Sequence, residues 1–234
     1  MIPRVIHYCW FGGKEKPRLV RLCMESWRRF APDFELREWN EESFDPRSVP
    51  FAKDAYADGN YAFVSDYARA KALFEEGGVY LDTDVELLRP IESFLADALF
   101  AGFEAANFVG TAVIGSEPGH ALWMDYLRHY DSVPYWDENG RPYSGTNVTL
   151  FTALLQGRGL RTENRFQRLG DICVYPSDRF SPYDYCRGVT RLTEHSVAVH
   201  HFARLWLPRR VRLRRRLKRL IGPVLSLWNG RKDQ

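Results

Sequence analysis

FVSDYARAKALFEEGGVYLDTDVELLR, residues 63–89, changes its periodicity in the middle. From Tyr61 to Glu76 the small and apolar residues Ala62, Ala68, Ala70, Ala72, Leu73 and Phe74 recur at helical spacing. Gly77-Gly78 stops that helix, Val79–Leu81 reads as a strand, and Asp82-Thr83-Asp84 follows. Side chains at i and i+2 of a strand share a face, so both carboxylates can serve one site. Mg2+ or Mn2+ prefers such hard oxygen ligands and completes its shell with substrate phosphates. An Asp-x-Asp alone also occurs by chance on loops; its place just after GGVYL is what gives it weight. Asp66 and Arg69, at i and i+3, share a face of the helix. They read either as an ordinary surface ion pair or as groups held against the same ligand by the tight glycine turn.

Outward from this stretch, strand and helix alternate. Strands are expected at Arg4–Trp10, Glu35–Trp39, Leu99–Phe103, Phe108–Ile114, Cys173–Pro176 and Ser196–Phe202, and helices at Pro17–Phe30, His120–Tyr130 and Val148–Leu155. The segment with Pro46 and Pro50 reads as a loop, as does Asp131–Thr146. The pattern predicts an α/β fold on a mainly parallel central sheet.

Composition allows one generous domain with an appendage: 234 residues, 45% hydrophobic and 15% aromatic. The net charge of +3 hides a division, because residues 204–234 hold eleven Lys/Arg against one Asp. The remainder holds 22 basic and 29 acidic residues, which argues against nucleic acid bound across the fold. Cys9, Cys23, Cys173 and Cys186 are scattered without a CxxC pair and read as incidental thiols. The N-terminus lacks the apolar stretch and cleavage site of a signal peptide, and no window reaches the roughly 18 apolar residues of a membrane span. A cytoplasmic protein is expected.

IPRVIHYCWFGG (residues 2–13), SDYARAKALFEEGGVYLDTDVEL (65–87) and AVHHFARLW (198–206) resemble the glycosyltransferases with a DXD-containing sugar-binding region. That family includes the yeast initiating α-1,6-mannosyltransferase and bacterial capsule and lipopolysaccharide enzymes, and is similar in its core to the clostridial toxin glucosyltransferase domains. The resemblance covers most of residues 1–206. It implies a GT-A (Rossmann-like) nucleotide-diphospho-sugar transferase fold and retaining transfer of a hexose from a nucleotide diphosphate sugar, with Mn2+ or Mg2+. Asp66, Arg69, Tyr80, Asp82 and Asp84 match the family's SDxxR and YxDxD positions. Asp66 is then a contact to sugar hydroxyls, Arg69 to the diphosphate, Asp82 to ribose and metal, and Asp84 to the metal. Trp10 matches the tryptophan that stacks on the nucleobase, with core packing as the other reading of it. Asn107, in the turn 104–107, resembles a residue facing the transferred sugar. In the family the late His-containing segment closes over the donor, which implies a histidine that completes the metal shell or contacts the diphosphate; Leu205 stands where the family often has Ser, and Trp206 is retained. Adjacent strand residues face opposite ways, so one of His200 and His201 faces the site and the other the core, with His200 preferred for the site. Ser144-Gly145-Thr146-Asn147 falls where relatives have a small-residue turn, and Thr146 or Asn147 is equally a natural N-cap. No covalent nucleophile is nominated, because the leaving diphosphate itself can take the acceptor's proton.

Within the tail, residues 207–234, the segment from Pro208 to Trp228 places Leu213, Leu217, Leu220, Ile221, Val224 and Trp228 on one helical face among seven arginines and a lysine. This is the pattern of an amphipathic helix lying on an anionic membrane surface, with a solvated tail or a helix packed back on the body as the other readings. A glycan or lipid-linked oligosaccharide acceptor assembled at the inner face of the membrane would suit it. UDP-galactose or UDP-glucose is favoured as donor over GDP-mannose. The competing readings are a catalytically degenerate binding protein, disfavoured by the intact carboxylates, a nucleic-acid binder, disfavoured by the acidic body, and a two-metal phosphohydrolase, for which no second acidic cluster is evident.

Overall fold

The computed structural model describes residues 1–105, 107–184 and 189–203, and Met1–His201 form one compact unit. In chain order its elements are β1 (Val5–Cys9), α1 (Arg18–Phe30), β2 (Glu35–Trp39), α2 (Pro50–Ala57), α3 (Tyr61–Glu75), β3 (Gly78–Leu81), β4 (Val85–Leu87), β5 (Leu99–Ala105) and β6 (Phe108–Val109). Then come β7 (Val113–Ser116), α4 (Ala121–Ser132), α5 (Asn147–Gln156), β8 (Gln167–Leu169), β9 (Ile172–Tyr175), β10 (Tyr183–Asp184), β11 (Val189–Thr190) and β12 (Ala198–His200). Among the described residues no helix is long and apolar enough to cross a membrane.

The central sheet has the order β2-β1-β3-β7-β5-β9-β8, with β6 added beside β5. Along that path β7 and β8 run against the other five strands, so the expected α/β fold on a mainly parallel sheet is present. One edge therefore collects the carboxyl ends of β1, β3 and β5, where open α/β sheets bind ligands.

Helix α3 packs beneath this edge. Its buried residues Val64, Ala68, Ala70, Ala72 and Leu73 include the small side chains that let it approach the sheet closely. On the same buried surface lie Asp66 and Arg69. Helix α1 buries Val20, Cys23, Met24 and Trp27, one narrow stripe at helical spacing. The Trp27 indole donates to the Val85 carbonyl at 2.8 Å, and the Ser26 hydroxyl accepts from the Leu87 amide at 2.9 Å. These bonds fasten α1 to β4.

Two expectations need correction, and one strand was not expected. The segment with Pro46 and Pro50 is not all loop: Pro50 opens α2 at the first helical position, where its missing N–H costs nothing. The strand expected over Phe108–Ile114 is divided into β6 and β7 by Gly110-Thr111-Ala112, which lets the Thr111 carbonyl turn toward α3. β4, three residues long, has too short a pattern to stand out, and it carries the ribbon partner of β12.

Candidate active site

Asp82 and Asp84 do not sit on a single strand. β3 ends at Leu81, the Val85 amide donates back to the Asp82 carbonyl at 2.9 Å, and β4 starts after that turn. β12 then pairs antiparallel with β4, in a register that sets His200 opposite Val85. The Nε2 atom of His200 thereby lies 3.3 Å from an Asp84 carboxylate oxygen and 4.0 Å from one of Asp82. One ligand atom from each of the three residues fits within 4.8 Å of the others. Of the two histidines, His200 faces the carboxylates. His201 is exposed and meets the Glu86 carboxylate at 2.9 Å rather than entering the core, because β12 ends there and its neighbour β4 offers Glu86 on that side.

The pair Asp66/Arg69 is not a surface ion pair. Both residues are 4% exposed, and an Arg69 guanidinium nitrogen lies 3.0 Å from Asp66. The same guanidinium reaches Asp82 at 3.2 Å and donates to the Thr111 carbonyl at 2.9 Å. It also lies 4.5 Å over the Tyr80 ring, whose hydroxyl donates to Asp82 at 3.0 Å. Arg69 thus joins helix, strand and the β6–β7 connection at one point, and holds Oδ1 of Asp82 while His200 faces Oδ2. Asn147 holds Asp66 in turn: its amide donates to the carboxylate at 2.6 Å.

Burial and neighbouring charge set the protonation of the site. Burial pushes the Asp66 carboxyl up to about 6, against the pull of Arg69 and Asn147. For Arg69 burial works against the charge, yet Asp82, Tyr80 and Asp66 raise its pKa well above the ordinary value. Burial would lower His200, but the carboxylates of Asp84, Asp82 and Glu104 prevail and raise it to about 8. A proton on His200 there stands in for a cation between the two aspartates. Two carboxylates and an imidazole are a donor set suited to Mn2+ or Mg2+. Neighbouring ligands of an octahedral ion with bonds of about 2.1 Å lie about 3 Å apart, near the His200–Asp84 separation.

The other expected residues distribute as follows. Trp10 directly follows β1, half-buried at the carboxyl edge beside β3, and its indole donates to the Lys14 carbonyl at 2.6 Å. It is therefore neither fully in the core nor free in solvent. Asn107 is exposed on the turn from β5 to β6 at the same edge. Trp206 lies outside the described residues. The capping question at 144–147 resolves to Thr146, which exchanges bonds with Thr149, leaving the Asn147 side chain for Asp66. The sequence reading placed Glu104 in the sugar-facing turn 104–107 without its pull on His200, missed Thr111 as a member of the site, and gave Asn147 no link to Asp66. For Asn147 the small-residue turn was the available signal; a backbone carbonyl such as that of Thr111 leaves none.

Residues 17–101 match the family described as glycosyltransferase sugar-binding region containing DXD motif. Human alpha-1,4-N-acetylglucosaminyltransferase is 33% identical over 170 residues, covering 65% of this chain and 45% of its own. The mannosyl phosphorylinositol ceramide synthase SUR1 of Saccharomyces cerevisiae is 26% identical over 171 residues, covering 66% of this chain and 42% of its own. The chain thus spans less than half the length of these two relatives. Among solved structures, that of PaToxG Glycosyltransferase superposes with a TM-score of 0.50 at 16% identity, over 68% of this chain and 69% of that one, a likeness of fold. The DXD turn and the SDxxR helix that supports it are one continuous piece of structure inside residues 17–101, the segment that matches the DXD-containing sugar-binding region of the glycosyltransferases.

Proposed function

We propose that this transferase moves a hexose, with retention at the anomeric carbon, from UDP-galactose or UDP-glucose to a glycan or lipid-linked oligosaccharide acceptor. The pathway is capsule, exopolysaccharide or lipopolysaccharide synthesis, carried out in the cytoplasm at the inner face of the membrane. The observation that carries the reading is the convergence of Asp82, Asp84 and His200 within 4.8 Å, with Arg69 paired to the Asp82 oxygen that does not face His200. Asp82, Asp84 and His200 would hold Mn2+ or Mg2+, and such an ion neutralises charge on a departing diphosphate. Arg69, buried and permanently charged, adds a fixed positive field at the same edge with no reorganisation during the reaction. Asp66, anchored by Arg69 and Asn147, keeps acceptor lone pairs for sugar hydroxyls. Trp10, at the end of β1, offers a flat face to the nucleobase. Asn107 and Trp206 complete the proposed donor contacts, and the basic tail, residues 207–234, is the proposed membrane contact.

A second reading, transfer of mannose from GDP-mannose, is favoured by the mannosyl activity in the name of the yeast relative. A screen of UDP-, GDP- and CMP-sugars by thermal shift and donor hydrolysis, with Mn2+ and with EDTA, separates the readings. Stabilisation and slow hydrolysis with one UDP-hexose, only with metal, is the expected result. The same response to GDP-mannose selects the second reading. No response to any nucleotide sugar replaces both with a degenerate binding protein.

A further inference from the structure

Charge within the body of the protein is as divided as charge between body and tail. Residues 1–30 carry seven Lys/Arg and two Asp/Glu, whereas residues 31–203 carry fifteen and twenty-seven. The basic excess is concentrated on α1. With 100° between successive residues, Arg18, Arg21, Leu22, Glu25, Arg28 and Arg29 all fall within about one third of the helix circumference, and all six are exposed. The opposite stripe, Val20, Cys23, Met24 and Trp27, is the buried one. Arg21 meets Glu15 at 2.9 Å, but among the described residues Arg18, Arg28 and Arg29 have no ion-pair partner. Glu25 stands at the centre of this face, and Leu22, beside Arg18 and Arg29 at one edge of it, has 47% of its surface exposed.

An exposed leucine beside Arg18, Arg21 and Arg29, on a helix about 20 Å long with four arginines on its outward third, can settle into a membrane interface, where each basic residue adds about 1 kcal/mol against anionic lipid. The acidic remainder of the body is repelled from such a surface, so the charge distribution also selects which side approaches. We infer that the outward face of α1 docks this protein on an anionic lipid surface and orients the active-site edge toward it. The connection to the site is short. The inner face of α1 donates to the carbonyl of Val85, the residue after Asp84, so the docked surface lies about one helix diameter, 10–12 Å, from the strand that follows the DXD turn. A lipid-linked acceptor held in that surface would meet the site without leaving the interface. The α1 face is an arrangement of its own, independent of the tail, and its failure would leave the donor chemistry untouched.

The test uses the full chain and vesicles of equal parts phosphatidylglycerol and phosphatidylcholine at low ionic strength, with pure phosphatidylcholine vesicles as control. Exchanging Arg18, Arg21, Arg28 and Arg29 together for Gln is expected to weaken partitioning about tenfold or more, with donor hydrolysis in solution unchanged. Unchanged partitioning overturns the inference. Because a fourfold variant can fold poorly, a second measurement uses Leu22→Cys carrying an environment-sensitive fluorophore, read against the unsubstituted chain treated identically. A blue shift with the anionic vesicles is expected, and none from the same probe at Met124→Cys, on α4. A probe at position 22 that stays aqueous while the protein binds overturns the inference, as does binding to heparin without binding to the vesicles.

Discussion

Asp84 and His200 are the two residues whose partnership depends most on what lies between them. The carboxylate beside it raises His200 to about 8, and a cation binding between the two would have to displace the proton held there. Asp84→Asn removes one hard ligand and the charge that raises His200. Metal-dependent donor hydrolysis should fall about 100-fold or more, with the melting temperature little changed. Mn2+ binding followed by electron paramagnetic resonance, beside the hydrolysis rate, checks this; near-normal values for both would remove the metal site from the account. Asn147 acts one step further out. Its 2.6 Å bond to Asp66 is charge-assisted, a class worth about 1.5–3 kcal/mol. Asn147→Ala should therefore raise the donor KM about tenfold while kcat changes less, and an unchanged donor titration would show that Asp66 needs no such support. The difference between these residues is also a difference in legibility. Asp66, Arg69, Asp82 and Asp84 lie within 19 residues at spacings with a structural meaning. Asn147 meets Asp66 across 81 residues, and only the fold brings the two together.

The turn that aims the DXD strand is pinned by a buried histidine. His7, in the middle of β1 and 0% exposed, accepts from the Trp39 indole at Nδ1 (3.0 Å) and lies 2.7 Å from the Gly77 carbonyl at Nε2. That geometry fixes the neutral ring with its proton on Nε2, because Nδ1 must remain an acceptor. Gly77 and Gly78 both have positive φ, and a side chain on Gly78 would meet the Val5 carbonyl at 2.8 Å. Burial lowers the His7 pKa despite the Gly77 carbonyl and Glu76. A depressed base binds its proton more readily unfolded, so its contribution to stability is complete above the unfolded value of about 6.5 and is lost as pH falls through the folded value. Asp66 and His200, both raised, make stability rise with acidity between pH 7.5 and 5.5, so the His7 contribution is read as a difference: in urea unfolding across that range His7→Gln should lose less stability with acidity than the unsubstituted protein. A slope that His7→Gln leaves intact would assign the acid sensitivity to His120 and His129, which burial also depresses. At this scale the sequence was readable where period and punctuation agree, as in α1, β2 and α3. It was misleading at Pro50, where a residue that ends helices instead begins one, and silent at β4, whose three residues acquire meaning only through β12.

For the whole molecule, charge decides more than shape. An acidic body would be repelled by an anionic leaflet, so any attraction must come from segments where basic residues are gathered. The sequence offers two, α1 and residues 204–234, with eleven Lys/Arg against one Asp in the latter. The tail was conspicuous from composition alone, whereas the α1 face needed the burial pattern before its arginines could be assigned to one side. Deleting residues 208–234 removes ten of those eleven basic residues and lies beyond the compact unit that ends at His201. The truncated protein should keep its melting temperature within a few degrees and its turnover on a soluble acceptor. Its partitioning onto phosphatidylglycerol vesicles at low salt should fall about tenfold or more, since loss of even a few basic contacts at about 1 kcal/mol each suffices. Vesicle flotation across a salt series measures this directly, because electrostatic attachment weakens as the screening length contracts. The residual binding of the truncated chain should then disappear at high salt. Undiminished, salt-insensitive flotation would mean that apolar contact, rather than the arginines, holds the protein to the surface.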